Sequence, residues 1–188
     1  MITSYKLPLT FNPQALKSDM EKIEPGEWIP HFNTSYFRGE WSGVALRSVG
    51  GLEGKLYPDP TAQGSYADTN ILSRCENIRA ALATFECQME SVRFLKLTPG
   101  SEIREHRDYN LGIEDGEVRF HIPVVTNPLV EFYLQGEKIE MSEGECWYLN
   151  FNLKHRVANR GATDRVHLVV DCVMNGWLRS LFPNLENS

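Results

Sequence analysis

No apolar run in this chain approaches the roughly 20 residues that a membrane-spanning helix needs. The opening segment MITSYKLPLTFNPQ lacks the apolar centre of a secretion signal. No basic tract is present either. The 19 Lys and Arg are scattered among 25 Asp and Glu, for a net charge of −6, so a nucleic-acid partner is not expected, and without an apolar span neither is a membrane. The four cysteines, Cys75, Cys87, Cys146 and Cys172, form no CxxC pair. That argues against cysteine-ligated zinc and predicts buried thiols in a reducing cytoplasm. No internal repeat, low-complexity tract or linker interrupts the 188 residues, which read as a single domain 1–188.

What is present falls into two parts. Asn12-Pro13 is an N-cap followed by proline at the first helical position, and predicts a helix to about Ile23, ahead of Pro25-Gly26. A second helix is expected from Asp68-Thr69, with Leu72, Cys75, Ile78, Leu82 and Phe85 on one face. Between them, Trp41 to Val49 reads as a strand and Gly50 to Ala67 as an irregular loop. From Ser91 onward, short β-rich runs follow one another: SVRFLKL, EVRFHIPVV, LVEFYL, KIEM, ECWYLNF and DRVHLVVDCV. Gln135-Gly136 reads as a hairpin turn, and Asn175 to Leu181 as a last short helix. The expectation is a mainly β protein with flanking helices. An N-terminal portion of about 1–90 packs on a β-sandwich or barrel of about 91–175.

The chemistry-bearing residues lie in that barrel. REHRDYN puts His106 and Asp108 two apart, so on an extended chain both point to one side. His155, in NLKHRV, is the candidate third ligand. Two histidines and a carboxylate on one face of a metal leave the opposite face open, which is the ligand set of non-haem Fe(II) oxygenases. The open positions are those a bidentate 2-oxo acid and O2 require. The triplet alone is weak, since His106 and Asp108 equally read as a surface ion pair beside Arg107.

Ten residues past His155, Arg165 opens the apolar strand RVHLVVDCV. An arginine pointing into a barrel is costly unless it is paired, and a dicarboxylate would pair it with fork geometry. Alternation puts Arg165, His167 and Val169 on one face, and likewise Arg119 with His121. The alternative for both arginines is an ordinary ion pair at the barrel surface. His167 and Asp171 are candidates for orienting the ligands.

EHRDYN, EVRFHIPVVTNP, GECWYLNFNLKHRVAN and DRVHLVVD, in that order and spacing, resemble the aspartyl/asparaginyl β-hydroxylase family, which includes bacterial proline hydroxylases. The resemblance spans roughly Ser91 to Val173. It implies a double-stranded β-helix (jelly roll, cupin-like) with Fe(II) and 2-oxoglutarate. His106, Asp108 and His155 would be iron ligands and Arg165 the anchor for the distal carboxylate. Arg119 and His121 would line the cosubstrate pocket. The family's vertebrate protein-modifying members have glycine where Asp108 stands. Its presence aligns this chain with the small amino-acid hydroxylases and argues against a halogenase. WSGVALRS is similar to a Trp-containing strand of the proline hydroxylases and would bring Trp41 and Arg47 near the substrate, a core tryptophan and a surface arginine being the alternative. Tyr109 and Asn110, directly after the HRD triplet, are further substrate candidates. The implied reaction is hydroxylation of an unactivated C–H of an amino acid, proline-like or Asp/Asn-type, free or bound to a peptide or carrier. The other class of reading is a non-catalytic cupin-like metal- or small-molecule-binding module.

Overall fold

The computed structural model describes residues 1–56 and 64–183. Thirteen strands are found among them: β1 (Ser4–Thr10), β2 (Ile29–Pro30), β3 (Phe37–Arg38), β4 (Trp41–Val49), β5 (Tyr66–Asp68), β6 (Met89–Leu97), β7 (Glu102–His106), β8 (Glu117–Val125), β9 (Val130–Leu134), β10 (Glu137–Lys138), β11 (Glu145–Leu149), β12 (His155–Asn159) and β13 (Arg165–Val173). Four α-helices accompany them: α1 (Pro13–Met20), α2 (Asn70–Ser73), α3 (Glu76–Leu82) and α4 (Gly176–Ser180). The large sheet runs β1-β11-β8-β13-β6-β4-β2, with β5 on β4, and the small sheet runs β10-β9-β12-β7-β3. Two antiparallel sheets face each other, as the jelly-roll expectation requires.

Alternation along the strands creates two interiors. Val118, Phe120 and Ile122 of β8 and Val166, Leu168 and Val170 of β13 point away from the small sheet, into an apolar layer shared with α1, α3 and α4. The opposite faces meet the small sheet in a second cluster containing Leu95, Leu97, Val169, Phe132 and Val157. The polar inward side chains, Arg93, Arg119, His121, Arg165, His167 and Asp171, are all buried.

The N-terminal part does more than pack on the barrel. β1 pairs with β11, and β4 pairs with β6 along most of its length. The single helix expected from Asp68 is two. Cys75, at the N-cap of α3, makes no side-chain cap bond. The buried Asp19 of α1 accepts instead from the Ile78 amide at 2.9 Å, from Asn77 Nδ2 at 3.2 Å and from Lys22 Nζ at 2.7 Å. A cap supplied from another helix allows the chain to break there. KIEM is not a strand: β10 stops at Lys138. Gln135 and Gly136 turn the β9–β10 hairpin at φ of 50° and 83°. α1 ends at Met20, short of Ile23. Most of the expected Gly50–Ala67 loop is irregular, although Tyr66–Asp68 forms β5, and residues 57–63 lie outside the described residues. All four cysteines are thiols, and only Cys87 is more than slightly exposed. No described helix is long and apolar enough to cross a membrane.

Candidate active site

His106 ends β7 and His155 begins β12, and these two residues are register partners. Their rings lie 4.2 Å apart, centroid to centroid. Asp108 follows on the turn, its amide donating to the Phe151 carbonyl at 3.0 Å. One ligand atom from each of His106, Asp108 and His155 falls within 4.8 Å of the others.

The tautomers suit a cation. Carbonyls only accept, so His106 Nδ1 donates to the Arg104 carbonyl (2.8 Å) and His155 Nδ1 to the Leu153 carbonyl (3.0 Å). Both Nε2 atoms are left with lone pairs. Burial, with His106 alongside, pulls His155 down to about 4, so its ring is neutral at pH 7. Neutral imidazoles and an ionised carboxylate are what a divalent metal needs.

Asp108 is held from the other sheet. Arg119 Nη1 donates to its Oδ2 at 2.6 Å, while Arg119 Nε and Nη2 fork onto Asp171 at 2.6 and 3.0 Å. Arg93 Nη1 adds a bond to Asp171 at 2.9 Å and one to Ser91 Oγ at 2.7 Å. Burial works against both charges. Asp171 and Asp108 nevertheless hold Arg119 above its usual range, and the two arginines hold Asp171 below its own. Arg119 is therefore a brace for the carboxylate as well as a wall of the cavity.

Arg165 differs from these. It is 2% exposed, and no carboxylate faces it among the described residues. Its Nη2 contacts His167 Nδ1 at 3.0 Å, and its Nε has no hydrogen-bond partner among them. Burial with no anion opposite pulls it down to about 9. His121, whose Nδ1 lies 3.1 Å from His167 Nδ1, has a buried Nε2 that is also without a partner among the described residues. A guanidinium and an imidazole left in this state mark where a polar ligand belongs.

These groups line one cavity of about 720 Å³ between the sheets. Trp41, Tyr109 and Asn110 line it too. Trp41 is buried and stacked on His31 at 3.7 Å, its Nε1 unpartnered among the described residues. Tyr109 is largely exposed at the mouth, and Asn110 takes a left-handed φ of 62° in the turn beyond the ligands. Arg47 is not brought here. The register shifts between Ala45 and Arg47, and this irregularity turns the side chain out of the alternation that Trp41 begins. It pairs instead with Asp68 at 2.6 Å and donates to the Met89 and Tyr66 carbonyls.

Sequence reasoning passed over Arg93, His31 and Tyr36. Arg93 carried a signal, a cation inside the apolar run SVRFLKL, as with Arg119 and Arg165. His31 and Tyr36, the latter stacked on His106 at 5.4 Å, sit in loop-like segments with no periodicity to flag them.

Comparison with known proteins bears on the same residues. The L-proline cis-4-hydroxylase of Rhizobium meliloti (strain 1021) is 24% identical over 189 residues, covering 99% of this chain. The chain spans 66% of that relative's length. A 2OG-Fe(II) oxygenase-family oxidoreductase from Burkholderia pseudomallei superposes with a TM-score of 0.57 at 10% identity, over 86% of this chain and 79% of the other. A Pseudomonas putida prolyl-4-hydroxylase gives 0.52 at 12% identity, over 92% and 93%. At these identities the two structures speak to the fold. The family model described as Aspartyl/Asparaginyl beta-hydroxylase matches residues 10–175. That span takes in all three candidate ligands and every buried arginine, and on it the chain belongs to the aspartyl/asparaginyl beta-hydroxylase family.

Proposed function

We propose that this protein is an Fe(II)- and 2-oxoglutarate-dependent dioxygenase that hydroxylates an unactivated C–H bond of an amino acid. The observation that carries the reading is Arg165, a buried guanidinium with no anion opposite it among the described residues, in the same cavity as an open-faced His–Asp–His cluster. A module that only held a metal would gain nothing from that unpaired charge.

Iron bound by His106, Asp108 and His155 would supply the oxidising power, with 2-oxoglutarate and O2 as co-reactants. The remaining work belongs to the chain. The Arg104 and Leu153 carbonyls hold both imidazoles with Nε2 toward the metal position. Arg119, locked by Asp171, keeps Asp108 aimed. Arg165 takes the distal carboxylate of the cosubstrate in a fork, and Arg119 and His121 wall its other end. Trp41, Tyr109 and Asn110 shape the side from which substrate approaches, so that one C–H bond faces the oxidant. The R. meliloti relative makes free L-proline the first substrate to try.

Anaerobic titration of the metal-free protein tests this. Fe(II) followed by 2-oxoglutarate gives a visible charge-transfer band that neither gives alone, and aeration with proline then yields succinate and hydroxyproline. Iron binding with no band on adding 2-oxoglutarate removes the cosubstrate, and with it the proposed reaction.

A further inference from the structure

A second cavity, of about 440 Å³, is lined by the β8–β9 connection, by β9 and by the segment from Lys138 to Glu143. Its apolar wall is Val130, Phe132, Ile139 and Met141. Phe132 lines both this cavity and the active-site cavity. The ring is almost fully buried and stacks on the candidate ligand His155 (6.4 Å, 5° between planes). Its other faces meet Phe151 at 6.4 Å and His121 at 6.3 Å. One aromatic side chain therefore separates the second cavity from the ligand cluster.

We infer that this cavity is the dioxygen inlet, with Phe132 as its gate. The inference rests on the proposed oxygenase reaction, and three observations select the gas. First, O2 is needed last, when cosubstrate and amino acid already fill the larger cavity. A route that does not pass the mouth keeps supply independent of substrate. Second, the charged side chains lining the second cavity are one lysine and two glutamates, Lys138, Glu140 and Glu143. Lys138 pairs with Glu140 at 3.3 Å, and Glu143 accepts from the Thr126 amide at 3.0 Å. A dianion such as 2-oxoglutarate would lose its water against the apolar wall with no counter-charge, whereas an uncharged diatomic molecule bears no such penalty. Third, His167 reaches this cavity but is committed on its inner side. Arginine only donates, so His167 Nδ1 accepts from Arg165, and Arg165 faces the active-site cavity. His167 is thus tied to the active-site side, and the Phe132 ring is the apolar side chain that stands between the two cavities.

Xenon, an apolar gas of similar habit that needs no turnover, tests the site directly. Crystals of the protein pressurised with xenon should show a peak against Phe132 in the second cavity. Ile139→Trp, which fills the space, should abolish the peak and raise the KM for O2 several-fold, leaving the KM values for 2-oxoglutarate and amino acid unchanged. Met141→Phe is the milder filling variant should the first not fold. An active enzyme with no xenon in this cavity, or a filled variant with unchanged KM for O2, overturns the inlet while leaving the reaction intact. Xenon in the cavity of a protein that consumes no O2 overturns the reaction and the inlet together.

Discussion

Single residues carry the chemistry here, and the most informative are those whose charge is unbalanced. Arg119 and Arg93 meet Asp171 and Asp108, whereas among the described residues Arg165 meets only a histidine nitrogen. An unpaired buried charge destabilises the empty protein and is relieved when an anion arrives. Arg165→Met should therefore weaken 2-oxoglutarate binding by about 100-fold, the loss of roughly 3 kcal/mol of charge-assisted hydrogen bonds. Fe(II) affinity should be unchanged, and the ligand-free protein should melt no lower than the parent. Anaerobic calorimetry and a thermal melt check both halves, and unchanged 2-oxoglutarate affinity would place the anchor elsewhere. Arg165 was legible in the sequence because a cation in an apolar, alternating strand has few other uses. Arg47 was misleading. The likeness of WSGVALRS to a proline-hydroxylase strand suggested it faces the site, and nothing in the letters announces the register shift after Ala45.

Elements were legible where one periodicity dominates. β6, β8 and β13 alternate between an apolar layer and the site, and read plainly as strands. β7 and β12, which deliver the two histidines, are five residues each, with polar sequences EIREH and HRVAN. They are held by their neighbours more than by their own composition. The break between α2 and α3 was hidden because its cause, Asp19, lies 56 residues before Cys75 and on another helix. Removing it should be felt across both: Asp19→Ala leaves the Ile78 amide and Asn77 unsatisfied and costs roughly 3 kcal/mol. Burial pushes this carboxyl up, but the bonds from Lys22, Ile78 and Asn77 outweigh it and hold it below its ordinary 3.8. Its contribution is thus complete above that value and is lost as pH falls through the lower folded one. Urea melts at pH 7 should show the full deficit, and melts of both proteins below pH 3.8 a shrinking one. An equal gap at every pH would mean that the carboxylate's charge is irrelevant to the cap.

At the scale of the whole molecule, a sandwich or barrel was expected from the row of short strands, and two facing sheets are found. The weaving of β1 and β4 into the large sheet was less visible, because the seven residues of β1 pair with a partner more than 130 positions away. A polar interior also makes the fold sensitive to acid. His31, His121 and His167 are all held below the ordinary 6.5, in each case by burial first: His31 falls to about 4, the other two well below. The unfolded chain takes up protons on them below pH 6.5 and the folded one does not, so stability falls as pH drops from there toward 4. The melting temperature should decline between pH 7 and 5 at constant ionic strength. A flat profile would show that these rings are already protonated or solvated.

The site is assembled from two sheets that share no strand pairing. The histidines stand on the small sheet and the unpaired arginine on the large one, with the space between set by packed side chains that neither group controls. The site therefore works as a gauge. Under the proposed function, a dicarboxylate would have to span from one sheet to the other, so its chain length would be measured against the thickness of the sandwich. A mutation deep in the apolar layer that let the sheets drift apart would recalibrate that gauge without touching a single ligand.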